Sequence, residues 1–158
     1  TSLFCPVECQ SSVMKLKELQ IQAVETEDLI RFPTFTVECI PAYNLNGKPH
    51  SKQEGWLGYV FKFGKTIVYF AGDTDVIPEI QRLSGYGKKG NTFIVLLPVA
   101  GSVVMEAISA AKLAISLKPT LAIPMSYGSG VYGTEKDATL FVDLCKQKGI
   151  RADVLKKI

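Results

Sequence analysis

The stretch Thr66-Ile-Val-Tyr-Phe-Ala-Gly-Asp-Thr-Asp75 decides how the rest of the chain is read. Thr66 to Ala71 is rich in β-branched and aromatic residues, which predicts a buried strand. Gly72 ends the run, and two carboxylates, Asp73 and Asp75, follow at once. Carboxylates at the C-terminal end of a buried strand are well placed to hold a metal ion, because the strand fixes the backbone while the loop opens to solvent. A plainer role is also open to them. Pro78-Glu79 looks like a first helical turn that Asp73 and Asp75 would cap. Taken alone, the stretch favours the cap, and the case for a site comes from its surroundings.

Upstream, Trp56 to Phe63 and the turn Gly64-Lys65 complete a hairpin with this strand. Ahead of the hairpin, Ala42 to Gly55 is a long polar segment that carries Asn44 and the single histidine, His50. Connections of that length in compact domains tend to be functional. Further back, Phe35 to Ile40 alternates as a half-buried strand does, and Pro41 closes it. Ile21 to Val24 and Leu29 to Arg31 read as short strands, and Val13, Leu16 and Leu19 recur at helical spacing behind Ser11-Ser12.

Downstream, Pro78 to Leu83 reads as a short helix and Thr92 to Pro98 as a strand buried on both faces. A helix follows whose apolar stripe is Val104, Ala107, Ile108, Ala111, Ala114 and Ile115, stopped by Pro119. Leu121 to Met125 is another buried strand, opening into Ser126 to Gly130. Thr134 caps a last helix burying Ala138, Phe141, Val142 and Cys145 and ending at Gly149, with an edge strand expected at Val154-Leu155. Three strand ends thus deliver polar residues to loops: Asn44 onward, Asp73 to Asp75, and Ser126 to Ser129. In layered α/β proteins sites assemble at such ends.

The 158 residues make a single α/β domain, 1–158, large enough to bury a core, and 47% hydrophobic with 21% charged residues excludes a disordered chain. The net charge of +3 is scattered, with Lys88-Lys89 and Lys156-Lys157 the adjacent pairs, so no nucleic-acid stripe is present. No apolar run is long enough to span a bilayer. The cysteines, Cys5, Cys9, Cys39 and Cys145, lack metal spacing and read as buried free thiols, which fits a reducing, cytoplasmic setting. A start at Thr1 instead of methionine suggests a processed product or a fragment.

Five segments in order resemble the metallo-β-lactamase fold superfamily, in its small metal-dependent hydrolase branch. They are Ile40 to Asn44, Glu54 to Tyr59, Tyr69 to Glu79, Leu96 to Gly101 with Met105 to Ala107, and Ala122 to Gly128. The resemblance covers about Leu3 to Leu155. It implies an αββα sandwich with mixed sheets and two metal ions, usually zinc, at one sheet edge, where a bridging hydroxide attacks the substrate. By position, Asp73 resembles the carboxylate that bridges the metals, and Asp75 a residue supporting the ligands from behind. His50 falls near the third ligand motif, and Asn44 stands where other branches carry a histidine.

Two departures matter. The family's HxHxDH motif is absent, as though the sequence begins just downstream of it, so the expected sandwich is incomplete. Ser126 stands where the last metal-binding histidine belongs, between Met125 and Tyr127, and a neutral hydroxyl is a poor zinc ligand. The expectation is a family member without a complete metal site, structural or interacting in role. The alternative is the larger part of an active hydrolase. Either way a missing N-terminal part, a second copy or a larger assembly should cover the exposed sheet. A third reading, an unrelated α/β binding domain, makes His50 a surface residue, Ser126 a turn residue and Asp73 and Asp75 a helix cap.

Overall fold

The computed structural model describes residues 1–16, 18–47, 49–88, 90–130 and 132–155. Of the paired lysines, Lys89, Lys156 and Lys157 lie outside the described residues. The strands are β1 (Ser2–Pro6), β2 (Gln20–Val24), β3 (Leu29–Arg31), β4 (Thr36–Pro41), β5 (Leu57–Phe63), β6 (Thr66–Phe70), β7 (Thr92–Pro98) and β8 (Leu121–Met125). Among the described residues, β3 to β8 form one six-stranded sheet in sequence order, and β1 with β2 forms a separate two-stranded sheet. The large sheet is mixed, antiparallel from β3 to β6 and parallel from β6 through β8.

Alternation along each strand sends one set of side chains into the main core, including Ile40, Val60, Tyr69, Phe93, Val95 and Leu97. Two helices cover that face. In α2 (Ala107–Leu117) the buried stripe is Ala107, Ala110, Ala111, Leu113, Ala114 and Leu117. Ile108, expected inside, is 44% exposed. In a helix this uniformly apolar the stripe is set by what the sheet offers, and the periodicity alone leaves it free to rotate. In α3 (Glu135–Gln147) the buried residues are those expected, Ala138, Phe141, Val142 and Cys145. Its start is fixed by a capping box in which Thr134 accepts from the Asp137 amide and Asp137 accepts from the Thr134 amide.

Three expectations are corrected. The N-terminal helix over Val13, Leu16 and Leu19 reduces to α1 (Gln10–Val13), four residues with none buried, and Leu16 is exposed. Without a core face to pack on, so short a helix has nothing to offset the cost of nucleation. Val154-Leu155 forms no strand; the backbone bridges once to β8, at Ala152 to Ala122, and the two apolar residues are exposed. The predicted helix at Pro78–Leu83 is a 3₁₀ segment whose N-cap residue is Ile77, with no side-chain cap. Asp73 and Asp75 therefore do not cap it, and the plainer reading of that pair fails.

Candidate functional site

The C-terminal ends of β4, β6, β7 and β8 open on one rim of the sheet, together with the start of β5, as the strand directions require. Two close approaches draw the Asp73 loop onto this rim. A Cβ on Gly58 would meet the Ala71 carbonyl oxygen at 2.6 Å, and one on Gly72 would meet the Leu57 carbonyl oxygen at 2.9 Å. Glycine at both positions lets the backbone after β6 lie directly against β5.

Thr74, fully buried, fastens the loop. Its hydroxyl oxygen accepts from the Tyr43 amide at 3.1 Å, and its own hydrogen reaches the Asp75 carbonyl at 2.9 Å. Its carbonyl accepts from the Met105 amide, and the Asp75 amide donates to the Tyr43 carbonyl. The Asp75 carboxylate accepts from the Leu45 amide at 3.1 Å. Asp75 thus spends one carboxylate oxygen holding the 44–50 loop.

Asn44, 6% exposed, closes that loop from inside. Its amide nitrogen donates to the Pro49 and Val103 carbonyls, each at 2.6 Å, and its backbone amide donates to the His50 carbonyl at 2.8 Å. The other amide atom, Oδ1, is buried with no partner among the described residues. This lock puts the His50 ring edge-on to Trp56, with centroids 5.7 Å apart at 89°. His50 Nδ1 lies 3.4 Å from the Val103 carbonyl, which accepts only, so the contact is a hydrogen bond in the tautomer that carries its hydrogen on Nδ1.

Nε2 then faces Asp73 Oδ2 at 3.8 Å, with the His50 side chain 19% exposed and that of Asp73 53%. Two electron-pair donors at this separation suit a shared positive partner, either a proton on Nε2 or a metal ion. Of the residues singled out from sequence, the structure brings His50 and Asp73 into contact and places Asn44 and Asp75 just behind them. Ser126 sits after β8 on the same rim, exposed and in the left-handed backbone region at φ 60°. It shares no hydrogen bond with His50 or Asp73 among the described residues.

Sequence reasoning missed a second polar cluster beside this one. The Tyr43 hydroxyl donates to Glu79 at 3.0 Å, and Lys52 Nζ lies 2.8 Å from Glu79 Oε1 and 5.0 Å from the centre of the Tyr43 ring. These groups line a cavity of about 410 Å³ together with Trp56, Arg82 and the Glu25–Glu27 turn. The signal was available, since Tyr43 and Glu79 both stand in segments that carry the family resemblance. Burial raises the Glu79 pKa, but the hydrogen bonds from Lys52 and Tyr43 outweigh it and hold the carboxyl below its ordinary range. A carboxyl lowered in the folded state adds stability above its unfolded pKa, and that stability is lost as pH falls through the folded value. Glu79→Gln should therefore be less stable than wild type at neutral pH, with the gap closing in acid. Urea unfolding of both proteins from about pH 7 to about pH 3 checks this, and a pH-independent gap would contradict it.

Two of the cysteines, Cys39 and Cys145, are poor nucleophiles at neutral pH. All four are free, and burial pushes the Cys39 and Cys145 thiols up to about 11. Metal binding is limited by donors. Among the described residues no group of three or more His, Cys, Asp or Glu side chains is arranged to hold a metal ion. A catalytic zinc takes about three protein ligands and an open position, so His50 and Asp73 do not fit that centre by themselves.

The comparisons with known proteins agree with this fold. A family model described as a beta-lactamase superfamily domain matches residues 8–126. A UPF0173 metal-dependent hydrolase from Nanoarchaeum equitans is 35% identical over 100 residues, which is 63% of this chain and 44% of that protein. The chain thus spans less than half the length of that curated relative. A crystal structure of a protein from Parabacteroides distasonis superposes with a TM-score of 0.76 at 24% identity, covering 98% of this chain and 64% of the other. Igni18, a metallo hydrolase from Ignicoccus hospitalis, gives 0.74 at 19% identity, covering 99% and 66%. No helix among the described residues is long and apolar enough to cross a membrane. With the family model matching most of its length and the sheet order found here, the chain belongs to the beta-lactamase superfamily domain family and has the metallo-β-lactamase fold.

Proposed function

We propose that this member of a metal-dependent hydrolase family does not hold a hydrolytic metal centre with its own residues and serves as a structural or interaction component. The donor count carries the reading. His50 and Asp73 are the pair in contact, Asp75 gives one carboxylate oxygen and Asn44 its amide nitrogen to backbone groups, and Ser126 offers a hydroxyl where the family resemblance implies an imidazole. A complete four-ligand zinc site is worth roughly 10–16 kcal/mol, and a two-donor site keeps on the order of half of that. Elemental analysis of the purified 158-residue chain after zinc loading and gel filtration should find well under one equivalent. The same material should leave bis(p-nitrophenyl) phosphate intact. Two tightly held equivalents of zinc would overturn the proposal.

A second reading is favoured by one observation, the approach of Nε2 to a carboxylate at 3.8 Å on the open rim. In that reading the chain supplies part of a working centre in a longer hydrolase, whose remaining donors come from a preceding segment, a second copy or a larger assembly. Zinc is then the expected metal, and a phosphodiester, lactone or amide the substrate class. A reducing, cytoplasmic location accords with the free thiols under either reading.

A further inference from the structure

Trp56 belongs to two neighbourhoods. Its ring meets His50 edge-on, and it also lines the cavity beside Tyr43. That cavity holds about 410 Å³, within the range of small-molecule pockets. Val24, Pro41, Ala42 and Leu57 supply apolar lining, and Trp56 and Tyr43 supply aromatic lining. The Trp56 ring is held from a second side as well, because its Nε1–H donates to Glu54 at 3.2 Å. It is nevertheless 39% exposed. A fixed and partly open indole offers contact area to a ligand at little cost in side-chain entropy.

The charges around the cavity decide what suits it. Two cations line it, and both are occupied. Lys52 Nζ lies 2.8 Å from Glu79 Oε1, and Arg82 Nη2 lies 3.2 Å from Glu38 Oε1. An anionic ligand would have to displace a carboxylate of the chain from either one. Three more carboxylates, those of Glu8, Glu25 and Glu27, line the same cavity, and their side chains have no hydrogen bond or ion pair among the described residues. The turn that presents two of them is tied down, since the Glu25 amide donates to Asp28 Oδ2 at 2.8 Å and the Glu27 amide to the Cys39 carbonyl at 3.0 Å.

The two aromatic rings differ in the same direction. Lys52 Nζ already lies 5.0 Å from the centre of the Tyr43 ring, whereas no described cation lies over Trp56. Indole is the best of the aromatic side chains at attracting a cation, and unpaired carboxylates attract one too. Two unlike features of one cavity thus favour a positive group, and the apolar lining favours hydrocarbon attached to it.

We propose that this cavity binds a small organic amine, with its ammonium group toward the Glu25–Glu27 turn and its apolar body against Trp56 and Leu57. The site goes beyond the interaction role and uses neither His50 nor Asp73 to bind the ligand, so its failure would leave the donor count of the metal reading untouched.

Trp56 is the single tryptophan of the chain, so its fluorescence reports directly on this cavity. The test uses the 158-residue chain and three probes of one shape: 2-phenylethylammonium, neutral 2-phenylethanol and anionic 3-phenylpropionate. Excitation is at wavelengths that the phenyl ring does not absorb. The ammonium should change the Trp56 emission saturably, the alcohol should bind about tenfold more weakly, and the carboxylate more weakly still. Added salt should weaken the ammonium and leave the alcohol unchanged. Replacing Glu25→Gln and Glu27→Gln together should weaken the ammonium about fivefold or more without affecting the alcohol. Both side chains are exposed, so an unchanged urea midpoint is expected and serves as the control for folding. The proposal is overturned by equal affinity for the three probes, by tightest binding of the carboxylate, by ammonium binding undiminished in the double variant, or by no saturable response to the ammonium.

Discussion

Phe141→Ala should lower the stability of the folded chain by about 3–5 kcal/mol. Phe141 is fully buried on α3, within the continuous core that also holds Leu113, Leu117 and Val95. Removing the ring forfeits its transfer free energy and leaves a cavity that α2 and the sheet cannot collapse into without breaking their own packing. Against a total of about 5–15 kcal/mol for a domain, this is a large fraction. Urea unfolding should show a much lower midpoint with an unchanged slope. The neighbouring Leu140 is 41% exposed on the outer side of the same helix, and Leu140→Ala should cost well under the Phe141 value. Equal losses at the two positions would contradict the packing described.

Gly58→Ala should destabilise by about 1–3 kcal/mol and disturb the site at the same time. The added methyl would lie 2.6 Å from the Ala71 carbonyl oxygen and 2.9 Å from that of Phe70, both main-chain atoms that no rotamer change can clear. The segment after β6 must move away from β5, and Asp73 moves with it. Because the chain has a single histidine, its imidazole NMR signals report on that contact without assignment ambiguity. The variant should show a lower melting temperature together with changed His50 imidazole chemical shifts. A stability loss with the His50 signals unmoved would mean that the close approach of β5 does not position the carboxylate.

How much of this was legible in the chain depended on whether a local signal had competitors. The strands from β3 to β8 carry unbroken or alternating apolar runs bounded by Pro and Gly, and α3 begins with Thr134 three residues before Asp137. Those elements are close to where the residues alone put them. The helix expected around Leu16 and the strand at Val154-Leu155 had the right local pattern, but each needed a neighbouring face that the fold does not supply. The rotated stripe of α2 is a milder case, because alanine and isoleucine at successive positions do not say which side meets the sheet.

The site was legible as residue types more than as an arrangement. His50 and Asp73 could be singled out by chemistry, but their 3.8 Å separation depends on the Asn44 amide and the Val103 carbonyl, a long-range hydrogen bond with no sequence pattern of its own. The Tyr43–Glu79–Lys52 cluster was overlooked because each member is ordinary alone and only the turn after Ile77 brings them together.

The bonding of Thr74 carries one more implication. One buried residue ties the end of β4, through Tyr43, to the approach to α2, through Met105, with Asp73 next to it in the chain. A sideways shift of α2 would be conducted along this rod-like connection to the carboxylate and to the mouth of the cavity near Tyr43.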